Sequence, residues 1–208
     1  MTPSSPSLKM RARSRPPEGA ALKSNRSKIL GYIRLAGVYL FVGFLVWVSR
    51  PTPSLFFAGA VLVAAGEATR IWAAGHLVKS LELIDSGPYA YTQNPLYLGR
   101  LLILTGFCVM ARNEDHLNWA ALALGYLVFF GYYLPRKLRV EGGRLQKMHG
   151  EAWVHYNASV PVLLPSLTRY PGKRLPWSLG RAVRNQEYLV VAGILLVLVF
   201  FAWKTWRT

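Results

Sequence analysis

Two groups of residues in this chain have the types and spacing that chemistry requires, and the first is an acid and a base inside an apolar run. Glu67 and Arg70 lie three residues apart in the stretch "GEATRIW". Ionisable side chains in such a setting usually face a protein interior or a wet cavity, because lipid does not solvate them. The pair therefore either holds helices together or contacts a substrate.

The second group is a polar and aromatic turn, "GPYAYTQNPLYLGR", which runs from Gly87 to Arg100 and leads into the apolar "LLILTGFCVM". Asn94 is a good residue to precede a helix, and Pro95 suits its first position, where a missing N–H costs little. The free N–H groups of such a helix start suit a carboxylate or phosphate ligand. Arg100 either reaches the membrane interface or enters the same cavity. The alternative is an ordinary helix start without a ligand.

Composition limits the class of protein that can carry these groups. Of 208 residues, 52% are hydrophobic and 16% charged, which is too apolar for an ordinary soluble domain. The net charge of +16 comes from Lys and Arg outside the apolar runs, so anionic membrane lipids are the expected counterpart and nucleic acid is not. His149 and His155 lie six apart without a cysteine or acidic cluster, and no metal site is predicted.

The apolar runs predict an all-α, polytopic integral membrane protein with about five transmembrane helices and a cytoplasmic helical cap. Each run approaches the roughly 20 residues that cross a bilayer. Prolines and polar turns between the runs make neighbouring helices antiparallel. The predicted spans are Ile29 to Ser49, Ser54 to Gly75, Pro95 to Ala111, Leu117 to Pro135 and Tyr188 to Trp203.

Positive charge predicts which side of the membrane each segment faces. Residues 1–34 carry eight Lys or Arg and residues 136–187 carry ten, whereas few lie in the loops between. With five crossings and a cytoplasmic N-terminus, both basic segments fall inside, as the positive-inside bias requires. This orientation also places Gly87 to Asn94 on the cytoplasmic side.

The segment after Pro135, "RKLRVEGGRLQKMHGEAWVHYNASVPVLLP", is too polar to span and predicts two short helices as the cytoplasmic cap. Glu141 falls at helical spacing with apolar neighbours, so its carboxylate is expected to be either functional or paired. In the second span, Ala60, Ala64 and Ala68 form a stripe of small residues that predicts close helix packing.

Three parts follow along the chain. Residues 1–28 are predicted to be a disordered basic tail, because they lack residues to build a core. An organelle transit peptide is the alternative for that tail. Residues 29–187 make the membrane domain with four spans and the cytoplasmic segment, and residues 188–208 make a C-terminal transmembrane helix.

The block "RIWAAGHLVKSLELIDSGPYAYTQNPLYLGRLLILTGF", followed by "RVEGGRLQKMHGEAWVHYNASVPVLLP", resembles the isoprenylcysteine carboxyl methyltransferase and phospholipid methyltransferase group of integral membrane enzymes. The resemblance covers roughly Gly66 to Pro165. It rests on the Gly-Pro-Tyr, Asn-Pro-Leu-Tyr-x-Gly and Glu-x-x-x-Leu-x-x-x-x-Gly elements in this order and spacing.

The resemblance implies an enzyme that transfers a methyl group from S-adenosylmethionine to a lipid-like or prenylated acceptor, most simply a carboxylate. Arg70 and Arg100 would hold the acceptor as catalytic residues. The alternatives are a phospholipid or amine N-methyltransferase and a non-catalytic membrane scaffold. The positions implied to bind the cofactor are Tyr89, Gln93, Asn94, Pro95, Tyr97, Gly99, Glu141 and Tyr156.

Two positions depart from the pattern of that group. Gln93 stands where an arginine is usual, and Gly142 stands where a second glutamate is expected. Loss of one carboxylate removes an acceptor for the ammonium or hydroxyl groups of the cofactor. These departures favour the scaffold alternative.

Overall fold

A computed structural model describes residues 37, 40–78 and 83–207 of the chain. The chain divides into two compact units, Met1–Gly43 and Phe44–Thr208. The described residues of the first unit, 37 and 40–43, are helical. The predicted tail, residues 1–28, lies outside the described residues, and so does most of the first predicted span.

The second unit is built from helices, and the residues that the structure describes contain no strand. The predicted all-α membrane fold is confirmed. The helical stretch over residues 40–48 (α1) comes first, and a 3₁₀ turn at Gly87–Ala90 and a π-helical segment at Phe129–Tyr133 lie between later helices. The remaining helices are α2 (Pro53–His76), α3 (Pro95–Met110), α4 (Leu117–Val128), α5 (Leu134–His149), α6 (Glu151–Ser159), α7 (Leu179–Arg184) and α8 (Glu187–Arg207).

Three described helical stretches are long and apolar enough to cross a membrane. They are Pro53–His76, Glu187–Arg207 and the continuous stretch Leu117–His149. The helix α3 is also apolar but has 16 residues, about 24 Å of helix. The second, fourth and fifth predicted spans therefore correspond to long helices, and the third corresponds to this shorter one.

The fourth span was predicted to end at Pro135, but the helix itself continues through this proline to His149. The π-helical segment lies directly before it, and the N–H of Leu134 bonds to the carbonyl of Phe129. A π-helical turn holds an extra residue and relaxes the backbone where a proline ring would otherwise clash with the preceding turn. The polar α5 is thus a direct extension of a membrane helix.

Glycines bring α2 and α3 into backbone contact. A Cβ added to Gly66 would lie 2.6 Å from the carbonyl oxygen of Gly99, and one added to Gly106 would lie 2.6 Å from that of Gly59. The two residues on each helix are seven apart, so they lie on one face. The predicted packing stripe is wrong in its residues, because Ala64 and Ala68 are exposed.

The segment after α6 crosses back over the 3₁₀ turn and fixes its position. The backbone N–H of Gln93 donates to the carbonyl of Pro161 at 2.9 Å, and that of Ser166 donates to Tyr91 at 2.8 Å. Further along, the indole N–H of Trp177 donates to the carbonyl of Ile71 at 3.2 Å. The turn, α2 and the segment before α7 are therefore held together at one end of the unit.

Candidate functional site

A cluster of three buried charged side chains joins α2 to the start of α8. Arg70 Nη2 lies 2.6 Å from Glu187 Oε1, and Arg70 Nε lies 3.5 Å from Glu67 Oε2. The side chains of Arg70, Glu187 and Glu67 are 5%, 7% and 11% exposed. The predicted pairing of Glu67 with Arg70 is present, but the shorter contact of Arg70 is to a residue that the sequence analysis did not single out.

The cluster holds two carboxylates for one guanidinium. Both oxygens of Glu67, Oε1 of Glu187 and Nε of Arg70 are buried and make no hydrogen bond within the described structure. The two acids differ in their ion pairs, because Glu67 lies 3.5 Å from Arg70 whereas Glu187 lies 2.6 Å from it. A buried charge without a close partner of opposite sign lowers the stability of a protein by on the order of several kcal/mol. Glu67 is therefore the group in this cluster that can accept a proton or another cation.

Gly99 makes room for Arg70. A Cβ at position 99 would lie 2.5 Å from Arg70 Cγ and 2.6 Å from the carbonyl oxygen of Gly66. Gly99 was predicted to belong to a cofactor-binding motif, and its observed contacts are those of a packing residue. The close approach of α3 to α2 at this point encloses the arginine.

Tyr89 adds a buried hydroxyl near the cluster. Its OH has no hydrogen-bond partner among the described residues. Burial raises the pKa of Tyr89 well above its usual value, and the charges of Glu187 and Glu141 raise it further while Arg70 lowers it. The structure thus brings Tyr89 into the field of both predicted acidic and basic site residues, Glu141 and Arg70.

Tyr156 supports Tyr89 from α6. Its hydroxyl donates a 2.8 Å hydrogen bond to the backbone carbonyl of Tyr89, and the residue is 2% exposed. Burial raises the pKa of Tyr156 above its usual value, so the hydroxyl stays a donor. Two residues predicted from separate motifs are therefore in direct contact.

A second polar group forms where α3 meets α5. Asn94 Oδ1 accepts a hydrogen bond from Lys137 Nζ. That ammonium lies 3.0 Å from Glu141 Oε2 and 4.3 Å from the centre of the Tyr97 ring. The predicted residues Asn94, Tyr97 and Glu141 are thus brought together by Lys137.

The prediction that Asn94 caps α3 is right in position and wrong in its side-chain bond. The residue lies directly before the helix, but its side chain makes no capping hydrogen bond. Its Nδ2 donates instead to the carbonyl of Val162 at 2.8 Å. The side-chain oxygen that would cap the helix accepts the hydrogen bond from Lys137 Nζ instead.

The remaining predicted residues lie around these two groups. Gln93 Nε2 donates a 2.7 Å hydrogen bond to the carbonyl of Val160, which directly follows α6. This bond links the end of α6 to the residues before α3. Pro95 is buried at the first position of α3, as predicted. Arg100 is exposed, with its guanidinium carbon 5.2 Å from the centre of the Tyr97 ring, which is a different setting from the buried Arg70.

Glu187 and Lys137 were not predicted to belong to the site. Glu187 lies 117 positions from Arg70, and no local pattern connects them. A signal for Glu187 did exist, because an acid at the first turn of an apolar helix needs a partner near the membrane. Lys137 lies four residues before Glu141, a spacing that favours a pair on a helix, although the usual order places the acid first.

Within residues 37, 40–78 and 83–207, no group of three or more His, Cys, Asp or Glu side chains lies close enough to hold a metal ion. The absence of a metal site stays a prediction for the whole chain. The predicted cofactor, S-adenosylmethionine, and the prediction that the protein is an enzyme also stay predictions.

Comparison with known proteins finds a distant similarity. The chain is 30% identical to the cobalt-zinc-cadmium resistance protein CzcN of Cupriavidus metallidurans over 129 residues. These 129 residues make up 61% of this chain. The matched stretch covers 55% of that protein, so the chain spans about half the length of the curated relative it matches. No protein-family model matches, and no solved structure matches.

These findings overturn the methyltransferase assignment. The relative that matches is named for resistance to metals and not for methyl transfer. Methyl transfer to a lipid-like or prenylated acceptor is therefore wrong as the function. The geometry offers a reason for the error: Gly142 removes the second acid of the expected pair, and Glu141 has a side chain that is 57% exposed and bound to Lys137.

Proposed function

We propose that this protein is a membrane protein that takes part in resistance to cobalt, zinc or cadmium ions. The observation that carries the proposal is the 30% identity over 129 residues to a protein named for that resistance. The apolar helices support the membrane part of the proposal. Because the similarity covers about half of the relative, the identity of the metal ions and of the partner proteins is proposed and not shown.

The buried charge cluster is the centre on which this role depends. Glu67, Arg70 and Glu187 together carry one more negative than positive charge when all three are ionised. Excess negative charge inside a membrane protein attracts a proton or a metal cation. Glu67 takes that cation, because Arg70 is closer to Glu187 and leaves the Glu67 carboxylate poorly matched.

The orientation belongs to the same proposal. The N-terminus and the basic segment 136–187 lie in the cytoplasm, and anionic lipids of that leaflet face them. The cluster then lies near the cytoplasmic ends of α2 and α8. A cation reaching Glu67 would enter from that side.

The test is growth of a metal-sensitive bacterial host that produces the full chain. Cultures with the chain and with an empty vector are compared across graded concentrations of CoCl2, ZnCl2 and CdCl2, with MgCl2 as the control salt. We expect a higher half-inhibitory concentration for at least one of the three metals and no change for magnesium.

Two results would contradict the proposal. Equal growth of both cultures on all three metals, with the protein present in the membrane fraction, removes the role in resistance. An equal gain on MgCl2 shows a general effect on the envelope. Immunodetection in isolated membranes distinguishes these results from failed production.

A further inference from the structure

A groove in the polar extension of the fourth span carries a second inference. The groove has a volume of about 570 Å³ and lies on α5. Among the described residues, its lining consists of three cations, two apolar side chains and a glycine, all on one helix: Arg139, Arg144, Lys147, Val140, Met148 and Gly143. It is separate from the buried cluster, and the similarity to known proteins assigns it no role.

Gly143 creates the concavity between two of the cations. Arg139 and Lys147 lie four residues before and after it, so the three residues share one stripe of the helix. A Cβ at position 143 would meet nothing within 4 Å. Packing therefore does not require glycine here, although glycine costs a helix about 1 kcal/mol relative to alanine. The missing side chain leaves room for a ligand between the two positive groups.

The cations of the groove have no acidic counterpart in the described structure. No ion pair or side-chain hydrogen bond is formed by Arg139, Arg144 or Lys147 with the residues that the structure describes. The one acid of α5, Glu141, pairs with Lys137. Glu141 lies two positions from Arg139, on another face of the helix, and three positions from Arg144, but its carboxylate contacts Lys137 and forms no ion pair with Arg144 in the described structure. The groove is thus positive and open to an anion.

The position of α5 indicates where that anion comes from. The continuous helical stretch Leu117–His149 has 33 residues, about 50 Å of helix, against about 30 Å for the hydrocarbon core. The polar end must therefore pass through the headgroup layer. Val140 is 63% exposed and Met148 38% exposed beside the cations, which suits a ligand with both a charged and an apolar part.

We propose that this groove binds the phosphate headgroup of an anionic phospholipid, with Arg139 and Lys147 on either side of the phosphate and Arg144 beside it. Arginine donates paired hydrogen bonds to phosphate oxygens, and lysine adds a compact positive charge. Val140 and Met148 contact the glycerol and the first methylenes of the acyl chains. The proposal does not depend on the role in metal resistance.

Binding is tested on the purified full chain in neutral detergent by calorimetric titration. The probes are dihexanoyl phosphatidylglycerol, dihexanoyl phosphatidylcholine and inorganic phosphate, each below its aggregation concentration. We expect saturable binding of the phosphatidylglycerol and at least tenfold weaker binding of the other two. A free phosphate that binds as tightly as the lipid would overturn the lipid as the source of the anion.

Matched variants separate the groove from the general positive charge of the chain. Arg139→Gln with Lys147→Gln removes two groove cations, and Arg169→Gln with Arg174→Gln removes two exposed cations elsewhere. Each cation near an anionic headgroup contributes on the order of fivefold in affinity, so the groove double variant should bind about thirtyfold more weakly. Equal weakening in both double variants would overturn the proposal.

Gly143→Leu fills the groove without removing charge. The open space at position 143 accepts the side chain, and leucine favours a helix, so the variant should fold. We expect a loss of phosphatidylglycerol affinity of about tenfold, whereas Gly193→Leu, at another position with open space, should leave it unchanged. Full affinity in Gly143→Leu would show that the ligand does not occupy the groove.

Discussion

Arg70 has two partners in the structure, and the sequence pattern indicated one of them. Its guanidinium is 5% exposed and lies between two carboxylates, one from its own helix and one from α8. The contact to Glu187 at 2.6 Å is the closer one. Arg70 therefore acts first as the link between two membrane helices, and Glu67 is left as the poorly compensated member of the cluster.

Removal of the arginine should destabilise the protein more than removal of the unmatched acid. Arg70→Gln leaves two carboxylates buried without a cation, which costs about 3 kcal/mol or more. Glu67→Gln keeps the shape of the side chain and removes excess charge, so the loss should be under about 1 kcal/mol, or a gain. Thermal unfolding in detergent compares the two. An equal or larger loss for Glu67→Gln would contradict the assignment of Glu67 as the unmatched acid.

The hydroxyl of Tyr156 should stabilise the turn that holds Tyr89. Tyr156→Phe removes the 2.8 Å hydrogen bond to the backbone carbonyl and leaves that carbonyl unpaired, at a cost of about 1–3 kcal/mol. Tyr170→Phe is the matched control, because its ring contacts Tyr156 at 5.3 Å and its hydroxyl makes no hydrogen bond with the described residues. Equal unfolding temperatures for the two variants would mean that the bond contributes nothing.

Local sequence patterns predicted the site residues whose partners are near in the chain and did not predict those whose partners are distant. The pair Glu67 and Arg70 was visible because charge inside an apolar run needs compensation. Glu187 was not, because its contact with Arg70 depends on how α8 returns to α2. Gln93 and Asn94 were predicted to bind a cofactor, and their amides bond the segment after α6, which no local pattern shows.

The contact between α2 and α3 is set by glycines at the scale of whole elements. Each helix contributes two, seven positions apart, and the backbones touch at both levels. In a membrane, where lipid is as apolar as the helix surface, such close packing is a main source of helix association. This contact positions Arg70 on α2 beside Gly99 on α3.

A methyl group in that interface should separate the helices. Gly66→Ala places a Cβ 2.6 Å from the carbonyl oxygen of Gly99, so the backbones must move apart at a cost of about 1–3 kcal/mol. Gly193→Ala, where nothing lies within 4 Å, should be neutral or slightly stabilising. Unfolding in graded sodium dodecyl sulfate measures both. A Gly66→Ala protein as stable as the control would exclude backbone contact as the link.

Helix starts were predictable and one helix end was not. Asn94 and Pro95 precede and begin α3 as local backbone preferences require. Pro135 is a strong local signal for an end, yet the π-helical segment before it lets the helix continue to His149. The helical register therefore depends on the turn before the proline, which sequence rules for prolines do not consider.

The distribution of charge makes a prediction for the whole molecule. The positive-inside bias predicts that the loop before α4 lies outside the cell and that the segment after α6 lies inside it. Asp115→Cys and Thr168→Cys place single thiols in these two exposed positions, and the native Cys108 is fully buried. In intact cells an impermeant maleimide should label position 115 and not 168. After permeabilisation both should react, and labelling of position 168 in intact cells would reverse the orientation.

Family assignment failed at the scale of the whole chain although several motifs were present. Short elements such as Asn-Pro-Leu-Tyr-x-Gly also describe a generic helix start, a buried proline and a packing glycine, and the structure uses Pro95 and Gly99 in these ways. The departures at Gln93 and Gly142 fell where the pattern needed charge. Similarity over 129 residues to a metal-resistance protein carries more information than motifs that local packing can explain.

The most direct test compares host cells that produce the unchanged protein, Glu67→Gln or Glu141→Gln at equal membrane amounts. The metal is the cobalt, zinc or cadmium salt that the unchanged protein lets the host tolerate, and the measurement is the concentration of that salt that halves growth. Both variants remove one carboxylate, but Glu67 is buried in the cluster and Glu141 is 57% exposed. We predict that Glu67→Gln falls to the value of the empty vector, whereas Glu141→Gln keeps the tolerance of the unchanged protein. Full tolerance with Glu67→Gln would contradict a role for the buried cluster in metal resistance.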